Sequence, residues 1–269
     1  MDPIRVIVDG AGGRMGRTVT RVVAEQPDMQ LVGAVDAPGM PFLGQDAGLL
    51  AGIGALGVPV VDSLGSVIEQ GDVVIEFTLP EATLANLRTV VEHRKRMVIA
   101  TTGYDAAQRQ ELERLAQQIP CVIAPNYSIG VNVLLRAVAL VAAALGSEYD
   151  VEITEVHHNQ KKDAPSGTAL RLAEVVAEAL NRDLESDLVY GRQGITGARS
   201  RREIGVHALR GGDVVGDHTV FFFGNGERLE LTHRAHSRET FARGAVRAAR
   251  WVMTAPVGMH DFNAVLFGG

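Results

Sequence analysis

Residues 4–16 read IRVIVDGAGGRMG, a compact β-branched run that leads directly into glycines and then into a helical pattern over 14–26. Gly10, Gly12 and Gly16 follow a GxGxxxG spacing, in which the third glycine comes one residue later than in the usual dinucleotide fingerprint. In such a turn the first glycine permits a tight bend, the second lets a ligand approach the backbone, and the third lets helix and strand pack closely. The stretch therefore predicts a strand, a turn and a helix that begin a parallel sheet.

An acidic residue closes the next predicted strand, 31–35, and completes the pattern. Asp36 lies roughly 20 residues beyond the last glycine, where a carboxylate accepts hydrogen bonds from the ribose hydroxyls of a dinucleotide. Free amides and the dipole at the start of the helix favour the pyrophosphate. These features predict a dinucleotide site. Arg14 and Arg17, in the first turn of the helix, can either meet phosphate charge or stay solvated, and the sequence leaves both open.

The composition excludes several classes of protein. The chain has 269 residues, and 46% of them are hydrophobic, which is typical of a globular protein. Its 26 basic and 32 acidic residues give a net charge of −6, which disfavours DNA, RNA and anionic membranes as partners. Cys121 is the single cysteine, so no internal disulfide or cysteine-based zinc site is expected, and no metal is predicted. Since no run reaches the ~20 apolar residues of a membrane span and no targeting signal is recognised, the sequence predicts a soluble, cytoplasmic protein.

Short apolar runs alternate with helical patterns through the first half of the chain. These runs are 4–8, 31–35, 58–61, 73–77, 97–100 and 121–124. They lack polar alternation, as expected where both faces of a parallel sheet are covered. We therefore predict a Rossmann-like, doubly wound α/β domain over 1–128 that binds the dinucleotide. Residues 41–57 are predicted to form a long loop, and a C-terminal helix within 239–269 is expected to pack back onto this domain.

The second predicted domain, 129–238, is a smaller α+β unit with an open mixed or antiparallel sheet that binds the substrate and supports oligomerisation. Residues 183–202 are predicted to be a loop. Glycine-rich turns join three later strands, which are predicted to be antiparallel and cover 204–209, 214–223 and 228–233. The apolar run 220–223 is either core or a subunit interface, because an open sheet must cover its faces.

The densest group of chemistry-bearing residues is EVHHNQKKDAPSGTA, residues 155–169. A histidine such as His157 suits proton transfer at neutral pH, and Lys161 can donate a proton or stabilise a developing anion. The backbone amides of Gly167 and Thr168, at the start of a helix, can hold a carboxylate. A solvated polar loop has no need of two histidines beside a glycine-initiated helix, so the cluster predicts a site for an anionic substrate.

Residues 10–16 and 157–169 together resemble the dihydrodipicolinate reductase family, the 4-hydroxy-tetrahydrodipicolinate reductases of bacterial lysine biosynthesis. The resemblance covers essentially the whole chain, and its motifs occur in order. Further matching stretches are FTLPEAT at 77–83, ATTGYD at 100–105, APNYSIGVN at 124–132, GGD at 211–213, GDHT at 216–219 and residues 228–237.

The resemblance implies reduction of 4-hydroxy-tetrahydrodipicolinate to tetrahydrodipicolinate by NADH or NADPH, with loss of water, in the diaminopimelate route. It also implies a homotetramer. By position, His157 is the proton donor and acceptor, Lys161 is the proton donor, and His158 contacts the dicarboxylate substrate. Gly167 and Thr168 bind one carboxylate. The residues that the resemblance assigns to the cofactor are Gly10, Ala11, Gly12, Gly13, Arg14, Met15, Asp36, Ala100, Thr101, Thr102, Ala124, Pro125, Asn126 and Tyr127.

Several positions depart from the family pattern. Ala37 follows Asp36 where relatives carry an arginine that meets a 2′-phosphate, so the sequence favours NADH, although Arg14 or Arg17 could accommodate NADPH. Leu79 stands where an arginine is common. Asp9, directly before the glycines, is expected to add negative charge near the phosphates and to weaken binding modestly.

The residues alone leave two other functions open. One is a different amino-acid-pathway dehydrogenase of similar build, and the other is a non-catalytic dinucleotide-binding sensor. The arrangement His157, His158, Lys161 and Ser166-Gly167-Thr168 argues against the first, because such dehydrogenases do not need it. The presence of both His157 and Lys161 argues against the second.

The substitution Ala37→Arg tests the predicted cofactor preference. A guanidinium at position 37 supplies the cation that a 2′-phosphate needs, so we expect the ratio of kcat/KM for NADPH to that for NADH to rise. Steady-state kinetics with both nucleotides measure this ratio. An unchanged ratio would show that position 37 does not contact the 2′-group.

Overall fold

The computed structural model describes residues 2–268, and the chain divides into two compact units. Unit 1 comprises the residues up to Ser128 together with those from Arg238 onward. Unit 2 comprises Ile129–Ser237.

Unit 1 is built on a seven-stranded sheet in which every neighbouring pair is parallel. Its strands are β1 (Ile4–Asp9), β2 (Met29–Val35), β3 (Val60–Val61), β4 (Val73–Glu76), β5 (Arg96–Ile99), β6 (Pro120–Ile123) and β12 (Gly258–His260). Their order, β12-β6-β5-β4-β1-β2-β3, contains the order of a dinucleotide-binding sheet, with its topological switch point between β1 and β4.

Helices cover this sheet, as the hydrophobic strands require. They are α1 (Arg14–Ala24), α2 (Ala47–Ala51), α3 (Pro80–Glu92), α4 (Ala106–Ala116), α8 (Glu239–Val252) and α9 (Phe262–Phe267). Helix α1 packs against α8, and α3 packs against α4. The predicted Rossmann-like fold class is confirmed.

The predicted loop over 41–57 is wrong in part, because it contains α2. Asp46 organises this segment, since its carboxylate accepts hydrogen bonds from the amides of Gly48 and Leu49 at the start of the helix. The same carboxylate also accepts from the amides of Leu56, Gly57 and Val58. One side chain therefore caps a short helix and closes the return of the chain towards β3.

The C-terminal segment of unit 1 is more than the single helix expected over 239–269. Helix α8 packs on α1 and on strands β4, β5 and β6. Strand β12 then pairs in parallel with β6 and extends the sheet by one strand, before α9 ends the described chain. A three-residue strand carries too little periodicity to be recognised in a sequence.

Unit 2 holds a five-stranded mixed sheet in the order β11-β10-β7-β9-β8. Its strands are β7 (Asp150–His157), β8 (Leu188–Tyr190), β9 (Ile204–Arg210), β10 (Gly216–Phe223) and β11 (Arg228–Ala235). Its helices are α5 (Ile129–Leu145), α6 (Gly167–Leu180) and α7 (Leu184–Asp187). Strand β7 lies in the centre and pairs with β10 antiparallel and with β9 parallel.

Two predictions for this unit are corrected. Strands β9 and β10 do not form a hairpin, because β7 lies between them, whereas β10 and β11 do pair antiparallel as predicted. The polar stretch 183–202 is not all loop, since it contains α7 and the edge strand β8. A glycine-rich turn shows that the chain reverses, but it does not show which strand lies beside the next.

Strand β10 explains why its sequence allowed two interpretations. Val220 and Phe222 are buried in the core of unit 2, whereas Phe221 and Phe223 lie on the opposite face of the sheet. The rings of Phe221 and Phe223 stack at 5.7 Å between centroids and remain partly exposed. The apolar run therefore serves the core with alternate residues and leaves an apolar patch on the open face.

The segment Ile129–Glu148, which contains α5, is the one helical segment within residues 2–268 that is long and apolar enough to cross a bilayer by length and composition alone. Leu134, Val138 and Ala142 on one side of it are buried in the core of unit 2, and α5 packs against α6. One side of this helix therefore contributes to the core of the unit.

Candidate functional site

The glycine turn after β1 has the backbone geometry that its sequence predicts. Gly10 has φ +82°, a conformation that favours glycine, and a Cβ at this position would overlap the carbonyl of Phe77. A Cβ on Gly16 would overlap the carbonyl of Gly10, so the absence of a side chain there brings α1 close to the turn. The amides of Gly10 and Ala11 both donate to the carbonyl of Val35 at 2.9 Å, which ties the turn to β2.

The start of α1 is suited to an anion. Gly13 is the N-cap with extended backbone, and no side chain among the described residues caps the helix there. The first amides of an α-helix have no partner within the helix, so those of Arg14 and Met15 can bind an anionic group. These residues fit a dinucleotide pyrophosphate, which is the cofactor chemistry that the sequence predicts.

Asp36 lies beside this turn at the end of β2. Its carboxylate accepts from the amides of Gly12 and Ala37, each at 2.8 Å, and a carboxylate retains further acceptor positions for hydroxyl donors. Arg17 turns back onto the loop, because its Nε donates to the carbonyl of Gly12 at 2.8 Å. Arg14 is exposed.

A cavity of about 490 Å³ opens at the turn, of a size suited to part of a dinucleotide. The residues that line it are Asp9, Gly10, Gly12, Gly13, Val35, Asp36, Ala37, Pro38, Met40, Phe42, Asp62, Phe77, Thr78, Leu79, Ala82, Ala85 and Asn86. The acidic residues in this lining are Asp9, Asp36 and Asp62, and no lysine or arginine is among them. The other residues that line the cavity are largely apolar, which suits a flat, uncharged ring such as the base of a dinucleotide.

Two buried carboxyl groups lie beneath the turn, at the switch point of the sheet. Asp9 ends β1 and Glu76 ends β4, and the two residues are paired in register. Asp9 is 2% exposed, and Asn86 donates to it at 2.7 Å. Burial and the nearby charge of Glu76 raise the pKa of Asp9 to about 8. The expectation that Asp9 adds a negative charge near the phosphates is therefore wrong at neutral pH, because its carboxyl group holds a proton.

Burial also raises the pKa of Glu76, against the opposing effect of several donors. Oε1 of Glu76 accepts from the hydroxyls of Thr78, Thr83 and Thr101 and from the amide of Thr78. Its Oε2 has no hydrogen-bond partner among the described residues. The floor of the nucleotide turn is thus a pair of acids that burial drives towards their neutral forms.

The other residues assigned to the cofactor lie at the ends of β5 and β6. Thr101 points inward, since its hydroxyl donates to Glu76 at 2.6 Å, while Thr102 and Pro125 are exposed and line a separate cavity of about 340 Å³. Tyr127 is a core residue. The residue is 1% exposed and its hydroxyl donates to the carbonyls of Ile99 and Val122, so it presents almost no surface to a ligand.

In unit 2, the predicted catalytic histidine lies at the end of β7 and is paired with a glutamate. Residues two apart on a strand share a face, and Nδ1 of His157 lies 2.6 Å from Oε2 of Glu155. His157 is 9% exposed and Glu155 is fully buried. The ring of His157 also meets the ring of His218, at 5.2 Å between centroids.

Glu155 is held by several donors. Arg210 reaches both of its oxygens, with Nη1 at 2.8 Å from Oε2 and Nη2 at 2.9 Å from Oε1, and the amide of Ser166 donates to Oε1 at 3.0 Å. Burial would raise the pKa of this carboxyl group, but the hydrogen bonds from Arg210, His157 and Ser166 outweigh burial and lower the pKa. Glu155 is therefore ionised at neutral pH.

The loop after β7 positions the remaining predicted residues. The amide of His158 donates to the carbonyl of Val214 at 2.8 Å, and the amide of Lys161 donates to the carbonyl of His158 at 3.2 Å. Nζ of Lys161 lies 2.8 Å from Asp163, and this ion pair lowers the pKa of Asp163. The side chain of Lys161 is 19% exposed, so the ammonium group is fixed but accessible.

Helix α6 begins where the sequence predicts a carboxylate site. Ser166 caps the helix by accepting from the amide of Ala169 at 3.2 Å, and its hydroxyl also lies 2.9 Å from Nε2 of His218. Gly167 is exposed and Thr168 is half-buried at the first turn. Burial, with the charge of His157 nearby, lowers the pKa of His218 to about 4, so its ring is neutral at neutral pH.

The structure thus brings His157, Lys161 and the start of α6 into one cluster in unit 2, and adds Glu155, Arg210 and His218, to which the sequence analysis assigned no role. The sequence could have indicated the contact of Glu155 with His157, because residues two apart on a strand share a face. In the structure β7 alternates buried and less buried positions, and Glu155 and His157 lie on the same face. Arg210 and His218 come from β9 and β10, whose pairing with β7 cannot be read from local sequence. No group of three or more His, Cys, Asp or Glu side chains within 2–268 could hold a metal ion.

Comparison with protein families matches both units. The family model for the N-terminus of dihydrodipicolinate reductase matches residues 4–127, and the model for its C-terminus matches residues 130–266. Together they span nearly the whole chain.

Individual proteins agree with the family models. The chain is 51% identical to 4-hydroxy-tetrahydrodipicolinate reductase from Magnetococcus marinus over 98% of both chains. It is 50% identical to the reductase of the same name from Syntrophotalea carbinolica, again over 98% of both. Among solved structures, dipicolinate-bound dihydrodipicolinate reductase from Paenisporosarcina sp. TG-14 has a TM-score of 0.76 and 29% identity, and the match covers 96% of this chain and 97% of that one.

The substitution Asp9→Asn tests the buried acid pair. The pKa of Asp9 is raised in the folded protein to about 8, whereas an unfolded aspartate titrates near 4. Folded protein therefore keeps a proton that unfolded protein releases, and stability falls as pH rises through this window. Asparagine removes that dependence, so the variant should gain stability over the parent by about 1 kcal/mol per pH unit between pH 5 and 8.

Urea unfolding at several pH values measures this difference. Asp2→Asn, at an exposed position of the same unit, is the control and should leave the pH dependence unchanged. A constant difference between Asp9→Asn and the parent across the range would show that Asp9 is not protonated in the folded state.

Proposed function

The chain belongs to the dihydrodipicolinate reductase family, and from this premise we propose how its two units divide the reaction. It catalyses the reduction of 4-hydroxy-tetrahydrodipicolinate to tetrahydrodipicolinate by a pyridine nucleotide, with loss of water, in the diaminopimelate route to lysine. The observation that carries the proposal is the cluster of His157, Lys161 and the start of α6 in unit 2.

Unit 1 supplies the nucleotide site. The amides at the start of α1 bind the pyrophosphate, and the carboxylate of Asp36 accepts from ribose hydroxyls. When bound, the reduced nicotinamide supplies the hydride that the reaction needs. The protein's part in this unit is to hold the phosphates in place, and the protonated Asp9 adds no negative charge beneath them.

We propose that NADH is preferred over NADPH. The cavity at the turn carries three aspartates and no lysine or arginine in its lining, Ala37 offers no charge, and Leu79 at its mouth is 69% exposed. A 2′-phosphate there would meet the carboxylate of Asp36. Arg17 is engaged with the carbonyl of Gly12, and the exposed Arg14 does not line the cavity. Charge complementarity therefore favours the free ribose hydroxyl.

Unit 2 supplies the dicarboxylate site. The amides of Gly167 and Thr168 belong to the first turn of α6, and we propose that they bind one carboxylate, with His158 and the ammonium group of Lys161 as further donors to the substrate. A relative solved with dipicolinate bound shows that a planar dicarboxylate is a ligand of that protein. We infer the same substrate class for this chain.

Proton transfer is assigned to His157 and Lys161. Departure of the substrate hydroxyl as water requires one proton, which Nζ of Lys161 can donate. His157 exchanges a proton at Nε2, because its Nδ1 is taken by Glu155. Both groups keep some exposure, so a substrate can reach them, and both are anchored, which keeps their positions fixed during the reaction.

We also propose a cytoplasmic homotetramer. The open face of the sheet in unit 2 presents the stacked rings of Phe221 and Phe223, and a second copy of the chain would cover these apolar groups. Light scattering should give the mass of four chains, and the mass of one chain would contradict the assembly. Cell fractionation tests the compartment, and recovery outside the soluble cytoplasmic fraction would contradict it.

The activity is tested with substrate generated in the same vessel from pyruvate and aspartate semialdehyde by the preceding synthase. We expect nucleotide oxidation that depends on the synthase and is faster with NADH than with NADPH. His157→Ala and Lys161→Ala should each lower kcat by roughly 10²- to 10⁴-fold, because each removes a proton-transfer group, while nucleotide affinity stays unchanged.

Matched controls are His207→Ala and Lys162→Ala, which remove the same side-chain types in the same unit. Parental turnover in His157→Ala or Lys161→Ala would remove that residue from the mechanism. Nucleotide binding without any oxidation by the parent protein would favour the sensor function instead.

A further inference from the structure

We propose that Glu155 and Arg210 are positioning residues that fix the tautomer of His157, so that Nδ1 holds a permanent hydrogen and Nε2 alone exchanges the proton. The inference deepens the proposed function, on which it rests for the role of His157. It concerns residues on three neighbouring strands, β7, β9 and β10, that meet at one end of the sheet in unit 2.

The carboxylate of Glu155 determines which ring nitrogen carries the hydrogen. Each oxygen of this carboxylate has two hydrogen-bond partners. Oε1 accepts from the amide of Ser166 and from Nη2 of Arg210. Oε2 accepts from Nη1 of Arg210 and lies 2.6 Å from Nδ1 of His157. An ionised carboxylate only accepts hydrogen bonds. The hydrogen between Glu155 and His157 must therefore sit on Nδ1, and in the neutral ring the lone pair lies on Nε2.

The surroundings of Nε2 leave room for exchange. A Cβ at Gly216 would lie only 2.9 Å from Nε2, so the glycine on β10 keeps this side of the ring clear. The ring of His218 packs edge-on against His157, and it is neutral at neutral pH. Charged groups near the ring are therefore Glu155 on β7, Arg210 on β9, and Lys161 and Asp163 on the loop.

Arg210 balances the charge of Glu155. It lies opposite His157 in the register of β9 with β7, and its guanidinium reaches the buried carboxylate through two hydrogen bonds. Without this cation, the negative charge of Glu155 would act on the histidine alone and would hold an extra proton on the pair. Glu155 and Arg210 therefore act on the proton affinity of the site in opposite directions.

A similar network on the other face of β7 provides a control. Glu152 is paired with Arg192 and Arg199 and lies 2.7 Å from Nε2 of His207, but this group is away from the loop that carries Lys161. Glu152→Gln therefore removes a carboxylate from an arginine–histidine network on the same strand, and it should leave the pH profile of kcat unchanged.

The test combines ring-nitrogen NMR of protein labelled with ¹⁵N-histidine and pH profiles of kcat. In Glu155→Gln the amide can donate to Nδ1, so the ring should change from the Nδ1–H to the Nε2–H tautomer, and kcat should fall by roughly 10²- to 10⁴-fold. The pH of half-maximal kcat should move down in Glu155→Gln and up in Arg210→Met. The conservative variant Arg210→Lys keeps the charge and should restore the parental midpoint.

A merely structural role would move both midpoints in the same direction or not at all, and either result would overturn the proposal. Retention of the Nδ1–H tautomer in Glu155→Gln would also overturn it. Should the parent protein show no reductase activity, the proposed function fails, yet the tautomer of His157 in the parent and in Glu155→Gln still decides the positioning role. If Glu155→Gln does not fold, the pH of half-maximal kcat in Arg210→Met and Arg210→Lys tests the proposal instead.

Discussion

A carboxyl group removed from water must either keep its proton or find enough donors to remain charged, and the two units satisfy this constraint in different ways. In unit 2 Glu155 remains charged, because Arg210, Ser166 and His157 all meet it. This one carboxylate joins the end of β7, the end of β9 and the start of α6. The position of His157, the histidine that we propose to be catalytic, therefore depends on Glu155.

In unit 1 no cation within residues 2–268 pairs with the buried carboxyl groups of Asp9 and Glu76. Burial therefore raises their pKa values and favours the protonated forms. Asp9 keeps its proton up to a pH of about 8, which is its pKa, and Glu76 is surrounded by threonine hydroxyls that temper the effect of burial on its pKa. A protonated Asp9 beneath the glycine turn is compatible with a pyrophosphate bound above it. Asp36 lies at the rim of the cavity, where we propose that its carboxylate accepts from ribose hydroxyls and opposes a 2′-phosphate.

The sequence predicts the architecture of unit 1 well, because glycine turns, apolar strands and the acid after β2 are local patterns. It also places His157, Lys161 and the start of α6 on one short stretch of chain. What it cannot supply is the pairing of distant strands, which is decided by tertiary packing. For this reason β9 was expected beside β10, and Arg210 and His218 were not connected with His157. The state of Asp9 was missed for a similar reason, since its burial depends on Glu76 in another strand.

We propose that the nucleotide bound by unit 1 donates its hydride directly to the dicarboxylate bound by unit 2. The most direct measurement uses NADH deuterated at both positions of the nicotinamide C4, with substrate supplied by the synthase, and mass spectrometry of the product. We predict one deuterium in each molecule of tetrahydrodipicolinate formed. Oxidation of the labelled NADH with no deuterium in the product would contradict direct transfer and with it the proposed division of the reaction between the two units.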